Sequence, residues 1–517
     1  MNDCLGAAKI VAEKGEIRSD SYDTILVVAH SQREIKVAAQ FQAVINDALI
    51  RDPGLKTEIG VLLGDTRVVQ RIVYSPIDTI DVDYDDVRIV RNAAFEGAKR
   101  ALLAGSRKLL LVMERILEFE HSDLVGVLGV LESLYVPIQQ RERNLGAGKK
   151  LDLLGVYTVS YEISKVVVNL AKIFEKGRYI ARDIGTGDSE RMTPINIQKY
   201  LEETFADTSI KLSVVSDVNA LAADYPLFAA VNRCANNVER HRGRIIFLEY
   251  NPPKEVKKTL LFVGKGVTFD TGGADVKIGG SMVGMSRDKC GAASIAGFMK
   301  VIDGFKPEHI KVIAGLALVR NSVGSDAYLP DEIITSRAKV TLRVVNTDAE
   351  GRMAMSDVLC RMKEIALDAV DPHIFTIATL TGHAVLTSGF KCTIGIDNGP
   401  ACKAGNALKV QKCGTEIGDP MDISTLRKED FEFHKGKTEG EDIIQAKPGP
   451  STKYPRGHQS PIAFMMLASG LDKHGSASEK PLKYTHYDIS GISECDYPKP
   501  PESTFILALA QTYLNEE

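Results

Sequence analysis

What this chain lacks narrows its possible roles before any motif is read. Its 517 residues carry a formal net charge of only −4, so neither nucleic acid nor an anionic membrane surface is indicated as a partner. Eight cysteines, at positions 4, 234, 290, 360, 392, 402, 413 and 495, form no CxxC pair and no disulfide-like framework. A reducing compartment is the expected home. No uninterrupted apolar run reaches the roughly 18 residues that a membrane-spanning helix needs. The N-terminal stretch has neither the apolar core of a secretory leader nor the arginine-rich, acid-poor bias of a transit peptide, so a cytoplasmic location is expected. The ten histidines are scattered and no HExxH occurs, which argues against histidine-based zinc hydrolysis. Gly264-Lys265-Gly266 is neither a GxxxxGK(S/T) loop nor a GxGxxG fingerprint, so phosphoryl transfer lacks its phosphate cradle. Internal repeats and low-complexity tracts are absent as well.

What is present reads as a soluble globular protein, with 44% hydrophobic and 26% charged residues. The length exceeds one ordinary core, so two domains are expected. The densest chemistry lies in Asn346-Thr347-Asp348-Ala349-Glu350-Gly351-Arg352. This heptapeptide follows a largely apolar, β-branched run (340–345) and opens a helix-like segment with Met355, Leu359, Met362 and Ala366 on one face. Read as an extended strand end, it sends two carboxylates and a guanidinium to one side from alternate positions. That arrangement repels itself unless a cation sits between the acids and an anion faces the arginine. Read as a polar turn, it caps the helix, with Thr347 or Asp348 at the N-cap and Glu350 in the first turn.

A second cluster lies upstream. Residues 259–263 form a short apolar run suited to a buried strand, and Lys265, Asp270, Lys277 and Asp288 are expected after its carboxyl end. Open α/β sheets place their ligands there. Glycines at 264, 266, 272, 273, 279, 280 and 284 permit tight turns and close backbone approach. The competing reading is a flexible connection with solvated charges. Together the clusters offer Asp270, Asp288, Asp348 and Glu350 with two lysines and an arginine, a donor set that suits two divalent cations with shared carboxylates. A lysine in that set ligates only as the neutral amine, which a neighbouring dication would enforce.

These residues resemble the leucine aminopeptidase (cytosol aminopeptidase) family of two-metal exopeptidases, whose hallmark is the NTDAEGR heptapeptide. The five-, seven- and eleven-residue spacing of Lys265, Asp270, Lys277 and Asp288 matches the family's upstream motif too. The similarity is strong from about 254 to 395 and fades to fold-level likeness in the N-terminal third. The resemblance implies that Asp270 and Glu350 bridge two metals, that Asp348 completes the more exchangeable site, and that Lys265 and Asp288 complete the tighter one. Zinc is the implied metal, with manganese, magnesium and cobalt as alternatives. Lys277 is implied to polarise the scissile carbonyl and stabilise the oxyanion. Arg352 is implied to hold a bicarbonate that accepts a proton from the metal-bound water. Met285 is placed in the substrate side-chain pocket, and Thr379, Leu380 and Gly382 in a turn whose backbone binds substrate and bicarbonate. The implied protein hydrolyses N-terminal leucine or other hydrophobic residues from peptides and assembles as a homohexamer. The alternative is a catalytically weak homologue kept for binding or assembly, against which the full set of ligands, Lys277 and Arg352 argues.

In chain order, alternating strands (23–31, 59–64, 108–113, 153–159) and helices (33–51, 91–104, 123–135) predict an α/β fold. The resemblance implies a macro-domain-like α/β domain over 1–163, a linker helix over 164–184, and a catalytic α/β metallo-exopeptidase domain with a central mixed sheet over 185–517. His30 reads as a satisfied polar residue at a strand end. Segment 185–194 departs from the Asn- and Pro-rich loop usual in the family, which touches specificity or packing more than chemistry. His383 stands where relatives carry a small residue, either as a tolerated change or as a side chain that narrows the pocket and alters local pKa values. Further helices are expected over 291–302 and 505–514 and strands over 312–319 and 374–380, and 484–491 resembles the family's terminal strand. Segment 425–459, charged and rich in Gly and Pro, reads as an exposed loop region.

Overall fold

A computed structural model of the chain describes residues 8–15, 21–37, 39–63, 70–144, 148–493, 495, 497–501 and 503–514. Parts of the N-terminal stretch read for targeting signals (1–7 and 16–20), residue 38 of the expected first helix and residue 64 of the expected second strand lie outside the described residues. The chain forms two compact units: Met1–Tyr179 with Thr415–Gly418, and Ile180–Gly414 with Asp419–Glu517.

The first unit holds a six-stranded sheet in the order Lys9–Ala12, Leu153–Tyr157, Lys108–Met113, Thr24–His30, Arg71–Ile77, Gly60–Leu63. All its pairings are parallel except that of the edge strand Gly60–Leu63. Thr24–His30 is buried at every position, as a continuous apolar run between parallel neighbours should be. The helices Arg88–Leu103 and Ser122–Leu134 approach closely at Gly129, where a Cβ would lie 2.4 Å from the Arg91 carbonyl oxygen. Two expectations need correction. The first helix is shorter, running as Gln42–Arg51 after a 3-10 turn. Arg71–Ile77 is a strand that Ser75-Pro76, a turn signal by composition, conceals.

The second unit is built on a mixed eight-stranded sheet: Met421–Thr425, Thr393–Asp397, Lys483–Asp488, Pro372–Ala378, Lys258–Asp270, Ile310–Asn321, Arg244–Tyr250, Ile210–Val215. The four central strands run parallel. The helices Cys290–Phe305 and Glu350–Ala366 bury Ile295, Ala296, Met355, Leu359 and Met362. A helix spanning Tyr161–Thr186 carries the chain across the expected linker region.

The central strand runs on through Lys258–Asp270. Lys265 therefore sits inside it, and Asp270 is its last residue; only Lys277 and Asp288 follow. Gly264 and Gly266 accordingly serve packing. A Cβ at Gly264 would lie 2.7 Å from Ala292 Cα, and one at Gly266 2.8 Å from the Ala317 carbonyl oxygen. Turn-making falls to Gly272, Gly273, Gly279, Gly280 and Gly284, all at positive φ. The heptapeptide does not extend a strand of the main sheet. Its preceding strand is only Thr341–Arg343, the middle of a three-stranded sheet with Ile333–Thr335 and Ile443–Ile444. Thr347–Ala349 is a 3-10 turn and Glu350 starts the helix, so the acids project from a helix entry and not from alternate strand positions. Segment 425–459 meets expectation only in part: Lys428, Glu429 and 448–450 are exposed. Asp430, His434, Gln445 and His458 are buried within it.

Candidate metal centre

The floor of the site forms where the ends of the parallel strands meet the helix entry. Lys265 reaches from the central strand across Gly351, where a Cβ would lie 2.4 Å from Lys265 Cε; only glycine admits that crossing. Lys265 Nζ stands 2.7 Å from Asp288 Oδ1 and 3.0 Å from Glu350 Oε1, and donates to the Thr379 carbonyl at 2.8 Å. Lys277 Nζ stands 3.0 Å from Asp270 Oδ2 and 2.6 Å from Asp348 Oδ1. Each lysine thus sits on one carboxylate from each motif, or on two joined by the fold. Asp270, Asp288 and Glu350 have ligand oxygens within 4.8 Å of one another, all buried.

Four carboxylates against two ammonium groups give the floor a formal excess of two negative charges, with the Arg352 guanidinium on the same cavity. Burial first, then the neighbouring acids, push the Asp288 and Glu350 carboxyls above their usual range. The same causes take Asp348 up to about 7. Burial works against the lysine charges, but the surrounding acids outweigh it and hold both ammonium groups above the usual lysine range. Asp288 Oδ2 and Glu350 Oε2 are buried without a hydrogen-bond partner among the described residues. Unpaired carboxylate oxygens in a site of net negative charge are what a hard or borderline dication satisfies, and the donor set fits one. Lys265 is a cation as it stands, so joining that set as a ligand requires it to lose its proton.

The residues that the resemblance assigns to metals, catalysis and substrate line one cavity of about 700 Å³: Lys265, Asp270, Lys277, Met285, Asp288, Asp348, Glu350, Arg352, Thr379, Leu380 and Gly382. Arg352 is buried, with Nη1 donating to the Gln445 carbonyl at 3.1 Å and Nε unpartnered. Burial draws it down to about 10, against the pull of Glu350. The Thr379 hydroxyl donates to Asp288 Oδ1 at 2.8 Å, and the Leu380 N–H to Asp488 Oδ1 at 3.2 Å. His383 is not among the lining residues. Its ring meets His458, Nδ1 to Nδ1 at 2.8 Å, and packs on Gly457, where a Cβ would fall 2.8 Å from the ring. It props the cavity wall from behind. In segment 185–194 the Gly187 carbonyl accepts from buried Lys289 at 2.8 Å, a packing contact.

Several residues that fix this geometry escape a reading of local motifs. Asn321, ending its strand, donates from Nδ2 to Asp270 Oδ1 (2.8 Å) and to the Thr347 carbonyl (3.1 Å), tying the two motifs together. Asp275 accepts from the Thr347 N–H at 2.7 Å, and the Tyr328 hydroxyl donates to the Thr347 carbonyl at 2.9 Å. Gln445 is fully buried. Its Oε1 accepts from the Val345 and Asn346 N–H groups, both at 3.0 Å, and its Nε2 donates to the Asn346 and Ala349 carbonyls at 2.9 and 3.1 Å. The side-chain amide acts as an extra peptide unit that continues the small sheet over the ligand-bearing turn. A polar residue after the strand pair Leu342–Ile443 and Arg343–Ile444 is the only signal, and it needs the pairing to be known.

Comparison with known proteins bears on the family of the chain. The family model for the catalytic domain of the cytosol aminopeptidase family matches residues 179–505. A Caenorhabditis elegans protein provisionally named an aminopeptidase is 41% identical over 491 residues, 93% of each chain. Proteins of Persephonella marina and Bacillus subtilis, provisionally named cytosol aminopeptidases, are 30% and 28% identical over 262 and 265 residues. Those two alignments span about half of each chain: 51% of this one, and 50% and 51% of theirs. With a match over most of its length and the acidic floor in place, the chain belongs to the cytosol aminopeptidase family.

Proposed function

We propose that this protein is a metal-dependent aminopeptidase that releases N-terminal leucine or other hydrophobic residues from peptides. The observation that carries the reading is the excess of two negative charges on a floor where Asp288 Oδ2 and Glu350 Oε2 are buried and unpaired. Lys265, Asp270, Asp288, Asp348 and Glu350 would hold two divalent cations, zinc first and manganese, magnesium or cobalt otherwise. Bound there, the metals supply Lewis acidity toward the scissile carbonyl and make water more acidic.

The remaining work belongs to the chain's own side chains. The negative floor attracts the free α-ammonium of a peptide, which favours cleavage at its N-terminal end. Lys277, held as a cation by Asp270 and Asp348, donates to the oxyanion that develops on the carbonyl oxygen. Arg352 presents a guanidinium whose Nε has no partner among the described residues; it would hold a planar oxyanion such as bicarbonate, which would supply a proton acceptor there. Met285, on the cavity wall, contributes apolar surface for the leaving N-terminal side chain. We further propose a cytosolic homohexamer. Among the described residues, no helix is long and apolar enough to cross a membrane.

The test is product mapping by mass spectrometry. Metal-loaded protein should release free leucine from Leu-Gly-Gly and leave N-acetyl-Leu-Gly-Gly intact. Internal cleavage, or no cleavage across a broad panel of dipeptides and tripeptides, would overturn the reading in favour of a binding or assembly role. Light scattering reads the subunit number: six is expected, and a monomer refutes the hexamer.

A further inference from the structure

The cavity is electrically lopsided. Its floor carries the excess of carboxylates, whereas the wall segment 446–457 contributes Lys447, Lys453 and Arg456 and no acid. Arg456 is already committed. Its guanidinium holds Asp430 at 2.6 and 2.7 Å and donates to the Thr425 carbonyl at 2.7 Å. Lys453 is exposed. Lys447 differs from both. Its Nζ lies 4.7 Å from the centroid of the Phe433 ring and 5.0 Å from that of Tyr454. Among the described residues no carboxylate pairs with it. Two aromatic faces hold the ammonium by cation–π attraction and remove much of the rotamer freedom that a lysine normally loses on binding. The result is a fixed cation at the cavity wall with its charge uncompensated.

We propose that Lys447 binds the C-terminal carboxylate of the substrate, so that the cavity selects short peptides in their zwitterionic form. The α-ammonium goes to the acidic floor and the carboxylate to the wall. A charge-assisted ammonium–carboxylate contact is among the stronger hydrogen bonds available to a protein. A peptide blocked at its C-terminus has no carboxylate to offer the wall, and a long one carries its carboxylate away from the cavity. The inference rests on the aminopeptidase reading and adds the substrate class to it.

The test compares Leu-Gly-Gly with its C-terminal amide on metal-loaded protein, by kcat/KM and by calorimetric binding of each peptide. A series from Leu-Gly to Leu-Gly-Gly-Gly-Gly shows which length spans the two ends. The free acid should be preferred about 10-fold, through KM, with the preference shrinking as salt screens it. Lys447→Met should bring the ratio close to one, Lys447→Arg should restore most of it, and Lys453→Met should retain it. Equal handling of acid and amide by the natural protein, or a preference that survives Lys447→Met, overturns the proposal. Calorimetry keeps the two readings apart. Peptide binding with acid preference but no hydrolysis defeats the aminopeptidase reading alone, whereas hydrolysis without acid preference defeats only the Lys447 assignment.

Discussion

The floor and the wall of this cavity are built on opposite plans. The floor is a set of charges in excess, six ionisable groups from two short motifs, with buried oxygens left unpaired. The wall segment 446–457, Lys447 and Lys453 apart, is held by satisfied polar groups within it and at its two ends. Gln445 uses both ends of its amide, Arg456 is paired with Asp430, and His458 bonds His383 and, at 2.9 Å, the Ser424 hydroxyl. The difference separates two jobs. An unsatisfied buried charge is costly and persists where a ligand or a reaction uses it, whereas a satisfied polar network fixes shape.

Substitutions should sort accordingly. The largest effect belongs to the floor. Lys277→Met removes the ammonium facing the developing charge and should lower kcat by about 100- to 1000-fold, the scale of losing one preorganised donor, with little change in KM. Steady-state kinetics on Leu-Gly-Gly reads the split, and a change confined to KM would blur the division of labour. Next comes the wall's hold on the floor. Gln445→Leu keeps the size but leaves buried N–H and carbonyl groups of the ligand turn unpaired. It should weaken metal binding by about 10- to 100-fold, as lost outer-shell support does, and cost about 2–4 kcal/mol of stability. Calorimetric metal titration and denaturant melts measure both; unchanged metal affinity would make Gln445 a mere wall residue.

The most gradual effect is the response to acid of the buried histidines beside the wall. Burial first, then His383 and Arg456, pull His458 down to about 4. Burial first, with Arg352 nearby, takes His434 down to about 4 as well. Both are neutral in the fold, and the unfolded chain takes up their protons more readily. Their contribution is therefore whole above about pH 6.5 and is lost as pH falls towards 4, at about 1.4 kcal/mol per unit for each group at most. Denaturant melts of the metal-free protein from pH 7 to 5 should show this loss, and His458→Asn should flatten the slope. A slope unaffected by the substitution would remove His458 from the account.

How far the sequence could be read follows the same division. The floor was legible because its groups sit close together along the chain. Lys265, Asp270, Lys277 and Asp288 fall within one stretch, Asp348, Glu350 and Arg352 within another, and charge chemistry alone asks for a cation between them. Their secondary structure was less legible. Gly264 and Gly266 look like loop glycines, but they allow a strand to pack tightly against a helix and a neighbouring strand. The wall was read only in part: Lys428, Glu429, Pro448, Gly449 and Pro450 are exposed, as expected of a loop. Lys428-Glu429-Asp430 and Lys447-Pro448-Gly449-Pro450 have the composition of an exposed loop, yet Asp430 is buried against Arg456. Gln445 owes its role to a parallel pairing with residues about a hundred positions away. No local pattern carries a partner that distant. His383 shows the same limit: what it props became visible only with Gly457 and His458 beside it.

The most direct measurement is metal dependence. Protein stripped by a chelator is titrated with Zn²⁺ or Mn²⁺ while bound metal and Leu-Gly-Gly hydrolysis are followed together, with Glu350→Gln alongside. The account predicts no hydrolysis without metal, full activity by two equivalents per chain, and loss of both tight binding and activity in Glu350→Gln. Hydrolysis that persists in the stripped protein, or two bound equivalents with no peptide cleaved, would contradict it.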